Sequence, residues 1–285
     1  MKKVKIQTRN RISREDSSGR RILSVLGLFT VDEPEWTVED AAKKLHVGGA
    51  TAYRYFSELT NVGLISPVGD ARYALGPAII QMDRQIQICD PMLGVARSVM
   101  VDLVQYAPEG STLLLCRLFH DRVMCVHQVI GRGPQSPVSY ERGRLMPLYR
   151  GATSKIILAH IPARHLKVLY GHDAVEIAKL HLGENWGEFR STLAKLRRVG
   201  VCVTRGEIDS GRVGVAAPVF DADGLVLGSL SYVVPIARAD QTVIGRLASF
   251  VQAGAQEIER DMDSAVSRQT PLKIIHRPKS RAAKK

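Results

Sequence analysis

The sequence predicts an α+β protein in which an N-terminal winged helix-turn-helix is joined by a linker helix to a mixed α/β second domain. Three observations carry this. Residues 37–59 hold two short helical patterns separated by the break His46-Val47-Gly48-Gly49. Residues 64–75 then read as two β-prone runs around Gly69 and Asp70. From residue 111 onward, strand-like runs alternate with helical ones, the pattern of a sheet covered by helices. At 285 residues the chain is long for one core and suits two domains.

Residues 1–16 show no apolar periodicity and are expected to form a basic flexible arm. The winged domain is placed at residues 17–76. Ser17 or Ser18 can cap a first helix, whose Ile22, Val25, Leu26 and Phe29 make one apolar stripe. Thr37-Val38-Glu39-Asp40 then has the spacing of a capping box: the threonine hydroxyl accepts from the third helical amide while Asp40 reaches back. Ala41, Ala42 and Leu45 follow as a short apolar face. Glycine at 48 or 49 is expected to take the positive φ of the turn between the helices.

The second helix starts near Gly49. Ala52, Tyr55, Phe56 and Leu59 recur at helical spacing and should face inward, which leaves Ala50, Thr51, Tyr53, Arg54 and Ser57 outward. That outer face is small, polar and carries one cation. It suits the major groove of DNA, where Arg54 can donate to a guanine edge and the hydroxyls can bond bases or phosphates. Gly49, Ala50, Thr51, Tyr53, Arg54 and Ser57, with Arg72 beside the tip of the wing, are therefore the candidate DNA-binding residues.

Residues 77–89 read as a linker helix. Ile79, Ile80, Met82 and Ile86 are more apolar surface than a lone connector needs, so a second copy of the chain is the expected partner. In residues 90–263, a helix from Asp90-Pro91 through Tyr106 precedes a hairpin of residues 111–119 and 123–130, and a third strand is placed at 138–140. A loop from Gly143 enters a helix ending at His160. Helices at 163–170 and 186–199 follow, then strands at 200–205, 214–220 and 225–234. A final helix over 240–262 carries the stripe Val243, Leu247, Phe250, Val251, Ala255 and Ile258. Residues 264–285 are expected to be a second basic flexible segment.

The formal charge of +12 is concentrated at the ends. Residues 1–21 hold 8 of the 40 basic residues and 2 of the 28 acidic ones, and residues 264–285 hold 7 basic and none acidic, which leaves 25 basic against 26 acidic between them. Such ends add phosphate contacts or merely solubilise. No run of about 18 apolar residues could span a bilayer, and the N-terminus lacks the apolar core of a signal peptide, so a cytoplasmic protein is expected. Cys89, Cys116, Cys125 and Cys202 are widely spaced without a C-x-x-C pair, which points to buried thiols rather than a disulfide framework or a zinc site. Cys125-Val126-His127 offers two metal ligands with no second pair in view. No metal or other cofactor is expected.

With both halves read, the chain resembles the IclR-type bacterial transcriptional regulators over residues 18–262. The N-terminal resemblance rests on residues 20–29, Thr51-Ala52-Tyr53-Arg54, Gly63-Leu64 and Tyr73-Ala74-Leu75-Gly76-Pro77. The C-terminal resemblance rests on Gly143, Pro147-Leu148, Lys155, Gly200, Arg205-Gly206-Glu207, Gly211, Ala216-Ala217-Pro218-Val219-Phe220-Asp221 and Gly224. It implies a dimerising linker helix, a GAF-like effector-binding domain for a small metabolite, dimers or tetramers, and a palindromic operator in double-stranded DNA. Positions matching the family's effector pocket are Ala152, Thr153, Thr204, Gly214, Ser231 and Val233. Relatives that sense small organic acids often carry an acidic residue, a cysteine and a second serine where this chain has Thr204, Gly214 and Val233. The departure implies a roomier, less polar pocket, suited to an aromatic or branched acid held by free amides at the start of the helix near Ala152. Gly48-Gly49-Ala50 also replaces a more usual Pro-basic-Ser turn.

An enzyme or ligand-binding protein acting through the second domain is the rival reading. Ser154, Lys155, Ser229, Ser231 and the histidines, among them His120, His127, His160 and His165, are its candidate groups. No G-x-S-x-G, S-x-x-K, H-E-x-x-H or phosphate-binding glycine motif accompanies them, so no catalytic residue is assigned. An RNA-binding adaptor fits less well, because no RNA-recognition aromatic pair is present.

Overall fold

In a computed structural model, residues 18–134 and 138–269 are described, and the chain divides into two compact units at Cys89/Asp90. The expected basic arm and most of the basic C-terminal segment lie outside the described residues.

The N-terminal unit contains α1 (Ser18–Ser24), a 3-10 turn (Leu26–Leu28), β1 (Trp36–Thr37), α2 (Val38–Leu45), α3 (Gly49–Asn61), β2 (Ile65–Gly69), β3 (Arg72–Leu75) and α4 (Pro77–Cys89). The first helix is shorter than its apolar stripe suggested. It gives way at Val25 to the 3-10 turn, which still delivers Val25 and Leu28 to the core. The Thr37 hydroxyl accepts the Asp40 amide at 3.1 Å, as a capping residue should, and donates to the Asp40 carboxylate at 2.9 Å. Aspartate, one methylene shorter than the usual partner, bonds the hydroxyl instead of the threonine amide.

The turn between α2 and α3 is closed by a residue other than the expected glycine. His46 takes the left-handed conformation (φ 55°, ψ 43°), while Gly48 is extended at φ −69° and caps α3 without a side chain. Ala52, Tyr55, Phe56 and Leu59 of α3 are buried against Val38, Ala41 and Ala42. Phe56 also meets Tyr73 of β3 edge to face at 5.0 Å, which fixes helix and wing together. The wing has three strands, ordered β1-β3-β2, one more than expected, because the two residues of β1 are too few to register as a sequence pattern. Its tip is the pair Asp70-Ala71, both at positive φ (46° and 56°), the backbone of a tight primed hairpin turn.

The C-terminal unit is built on a six-stranded antiparallel sheet of order β6-β5-β4-β9-β8-β7. Its elements are α5 (Pro91–Val104), β4 (Thr112–Phe119), β5 (Arg122–Ile130), β6 (Leu145–Pro147), α6 (Ala152–His160), α7 (Ala163–Lys179), α8 (Trp186–Val199), β7 (Cys202–Arg205), β8 (Arg212–Phe220), β9 (Val226–Pro235) and α9 (Gln241–Gln269). Residues 138–140 form no strand. The third strand is β6, where Leu145–Pro147 pairs with Arg122–Met124. Helix α7 runs to Lys179 across a kink at Asp173, and α9 continues to Gln269, past the expected boundary at 263.

Both faces of the sheet are covered, which explains strands such as Thr112–Phe119 that lack polar alternation. Leu113, Leu115, Val213, Val215, Leu230 and Tyr232 pack under α5 and α9. Leu114, Cys116, Ala216 and Val233, displaced by one residue along the same strands, pack under α6, α7 and α8. Gly254 of α9 lets α5 approach: a Cβ there would stand 2.3 Å from Leu103 Cδ1. At the start of α5, Asp90 accepts the Leu93 amide at 3.1 Å and forms an ion pair with Arg117 of β4.

Candidate DNA-binding face and effector site

Helix α3 is two-sided. Gly49, Ala50, Tyr53, Arg54 and Ser57 are exposed and Thr51 is half-buried, on the side opposite the four core residues. The Arg54 guanidinium lies 5.9 Å from the centre of the Tyr55 ring and is otherwise open to a partner. Arg72 directly follows the turn of the wing and pairs in register with Thr37. It also borders a cleft of about 420 Å³ lined by Asp32, Glu33, Glu35 and Asp40, so acidic groups share its surroundings. The Thr37 hydroxyl, then Lys43, hold the exposed Asp40 carboxyl below its ordinary range.

All six candidate effector residues come together on the α6 side of the sheet. Thr204, Gly214 and Val233 lie side by side across β7, β8 and β9, and Ser231 is two residues along β9. Thr153 and Ser231 share a hydrogen bond of 3.0 Å between hydroxyls, both buried, and Ser229 donates to the Thr153 carbonyl at 3.1 Å. Two expectations are corrected here. The site is closed rather than roomy, because Ala152 occupies the space over Gly214: a Cβ at 214 would meet Ala152 Cβ at 3.1 Å and Thr204 Oγ1 at 3.4 Å. Nor are the first amides of α6 all free. Thr204 Oγ1 accepts the Ala152 N–H at 3.0 Å, and Glu207 Oε2 accepts the Gly151 N–H at 3.0 Å. Among the described residues only the Thr153 and Ser154 amides of that first turn lack an acceptor.

Sequence reasoning left Lys155, Glu207 and Tyr140 out of the candidate site, and the structure places them beside it at the head of α6. Lys155 Nζ lies 2.7 Å from Glu207 Oε1, and the Tyr140 hydroxyl bonds Ser154 Oγ at 2.9 Å. Glu207 and Lys155 are 52 residues apart, so no local pattern joins them. Burial pushes the Tyr140 hydroxyl up, and it raises the Cys202 thiol to about 12, with Lys155 opposing and Glu207 adding to the shift. Burial likewise raises Cys116. These thiols stay protonated at neutral pH and lack nucleophilic character. Among the described residues no group of three His, Cys, Asp or Glu could hold a metal ion, and no helix is long and apolar enough to cross a membrane.

A winged helix-turn-helix followed by a separate α+β unit with a buried polar site defines a class: a transcriptional regulator that binds DNA with one part and a small effector with the other. The profile described as "Bacterial transcriptional regulator IclR C-terminal" matches residues 91–260. The chain belongs to the IclR family of bacterial transcriptional regulators. It is 22% identical over 255 residues to the HTH-type transcriptional regulator KdgR of Dickeya chrysanthemi, covering 88% of this chain and 82% of that protein. With the glycerol operon regulatory protein of Streptomyces griseus it shares 25% over 254 residues, covering 88% and 98%. Its fold resembles that of an IclR homolog from Microbacterium hydrocarbonoxydans solved with 4-hydroxybenzoate, at TM-score 0.69 and 20% identity, covering 87% of this chain and all of that one. An IclR-type regulator from Alicyclobacillus acidocaldarius gives the same TM-score and identity, covering 86% and 98%.

Proposed function

We propose that the chain acts in the cytoplasm as a dimer on a palindromic operator, read by Gly49, Ala50, Thr51, Tyr53, Arg54 and Ser57 of α3 with Arg72 of the wing. Its grip is set by an aromatic or branched organic acid at Ala152, Thr153, Thr204, Gly214, Ser231 and Val233. It turns over no substrate. The observation that carries the reading is the two-sidedness of α3: one face is locked into the core, while the other exposes small groups, hydroxyls and a single guanidinium. A major groove admits such a face because Gly49, Ala50, Thr51 and Ser57 are small, which leaves Tyr53 and Arg54 as the long side chains that can reach base edges or phosphates.

The acid class is supported by the lysine ammonium and the two open amides at the head of α6, and by the apolar Val233 and Ala152 beside them. The relative solved with 4-hydroxybenzoate has a ligand of that class. Because the site is closed, an effector must part Ala152 from Gly214, and differential binding of about 1–3 kcal/mol between two arrangements would change operator affinity by about 5–150-fold. The test is fluorescence anisotropy on duplex DNA from upstream of the chain's own gene, with a panel of aromatic and branched acids. Sequence-dependent binding that shifts with at least one acid is expected. Equal affinity for a scrambled duplex would overturn the operator reading, and indifference to every acid would overturn the effector reading.

A further inference from the structure

We propose that Glu207 is a specificity-determining residue of the effector site, a tethered carboxylate occupying the anchor that an acidic effector must take. The proposal rests on the effector reading above. Glu207 engages three groups around the head of α6: its carboxylate accepts the Gly151 N–H at 3.0 Å and pairs with Lys155 Nζ at 2.7 Å, and its carbonyl accepts the Arg150 guanidinium at 2.5 Å. Asp209, two residues on, accepts the Ser139 amide at 3.0 Å and the Ser139 hydroxyl at 2.5 Å. Ile208 between them lies against Gly151, where a Cβ would stand 2.9 Å from Ile208 Cγ1. Residues 207–209 are thus a strap tied to residues 139–155.

Lys155 is 13% exposed and Glu207 32%. An ammonium that enclosed attracts a carboxylate strongly, because little water screens the pair, and here the chain itself supplies the carboxylate. The Lys155 ammonium is therefore already compensated and is not free for an incoming anion. An incoming acid exchanges with Glu207: the acid takes the Lys155 ammonium and the Gly151 amide, and Glu207 turns outward, where a third of its side chain already meets solvent. A neutral ligand needs no exchange. A tether on a short loop presents its carboxylate at an effective concentration of order millimolar or above, so only acids gaining further contacts near Val233 and Ser231 win. Each exchange also releases the two carboxylate ties of the strap, so acid binding is expected to loosen residues 206–211 around Glu207.

The test uses the full chain and two matched probes, 4-hydroxybenzoate and 4-hydroxybenzamide, in titration calorimetry. Glu207→Gln keeps an oxygen for the Gly151 amide and removes the charge. It should tighten the acid about tenfold or more and leave the amide within about twofold. Lys155→Met should weaken the acid in either background. Hydrogen exchange on the wild-type chain gives a readout independent of any variant: the acid should speed exchange in residues 206–211, and the amide should not. An acid-to-amide affinity ratio equal in wild type and Glu207→Gln, or a strap equally protected with both probes, overturns the proposal and leaves the effector reading standing. Failure of both probes to bind either protein overturns this proposal, and the effector reading is then decided by the full panel of acids.

Discussion

Arg54 and His160 show how much one side chain decides. Arg54 is the lone cation on the exposed side of α3, so its role is separable from its neighbours. Arg54→Ala should cost about 1–3 kcal/mol and relax preference at one base-pair position. Measured across a set of single-substituted duplexes, uniform weakening would identify Arg54 as a phosphate contact instead. His160 ends α6 with its ring edge-on to Phe220 at 4.9 Å, and its buried Nε2 has no partner among the described residues. Burial, then the charge of Arg197, hold its pKa down from 6.5 to about 4. Between those values the unfolded chain binds the proton and the folded one does not, so stability falls as pH drops from about 6.5 to about 4. The ring is partly solvated, which moderates the effect. His160→Phe should flatten that part of the thermal stability profile, and parallel curves for the two proteins would refute the assignment.

At the scale of elements, legibility in the sequence follows the range of the interactions. Helix α3 could be read because its register is written every three or four residues and both faces are clear. The candidate effector constellation could be placed only through resemblance, since Thr153 meets Ser231 across 78 positions. What occupies the head of α6 stayed hidden for the same reason. Strands β1 and β6, of two and three residues, are held by partners and carry no period of their own. Helix α4 was legible as an excess. Ile80, Met82, Ile86 and Ile88 are 50–74% exposed, a costly display for a helix of 13 residues unless another surface covers it. Dimers are therefore expected in sedimentation at micromolar concentration, and Ile80→Glu with Ile86→Glu should dissociate them. A wild-type monomer under those conditions would remove the two-fold operator from the proposal.

For the whole molecule, charge is unevenly distributed along the chain. Residues 22–263 are nearly neutral, and most of the excess lies at positions outside the described residues. Because α9 runs to Gln269, a clean truncation starts at residue 270. Removing residues 270–285 should reduce the slope of log K against log salt by about 0.9 for each DNA phosphate that the segment had neutralised, with the ranking of DNA sequences unchanged. An unaltered slope would mean that this segment only solubilises.

The ion pair between Asp90 and Arg117 ties the first residue of the C-terminal unit to β4. Asp90 is the first residue after α4, and Arg117 lies on β4 three positions from Leu114, which stands opposite Ser231 in the sheet. Since β4 runs from beside the candidate effector site to Asp90, it is expected to act as a rod that carries any displacement at the site to the Asp90 joint through the hydrogen bonds of the sheet. Cutting the rod at the joint should leave both ends working in isolation. Arg117→Leu is expected to bind its acid and its operator separately, yet lose about 0.5–2 kcal/mol of the coupling between them. Operator titrations with and without saturating acid would read this directly, and full coupling in the variant would mean that the message travels by another route.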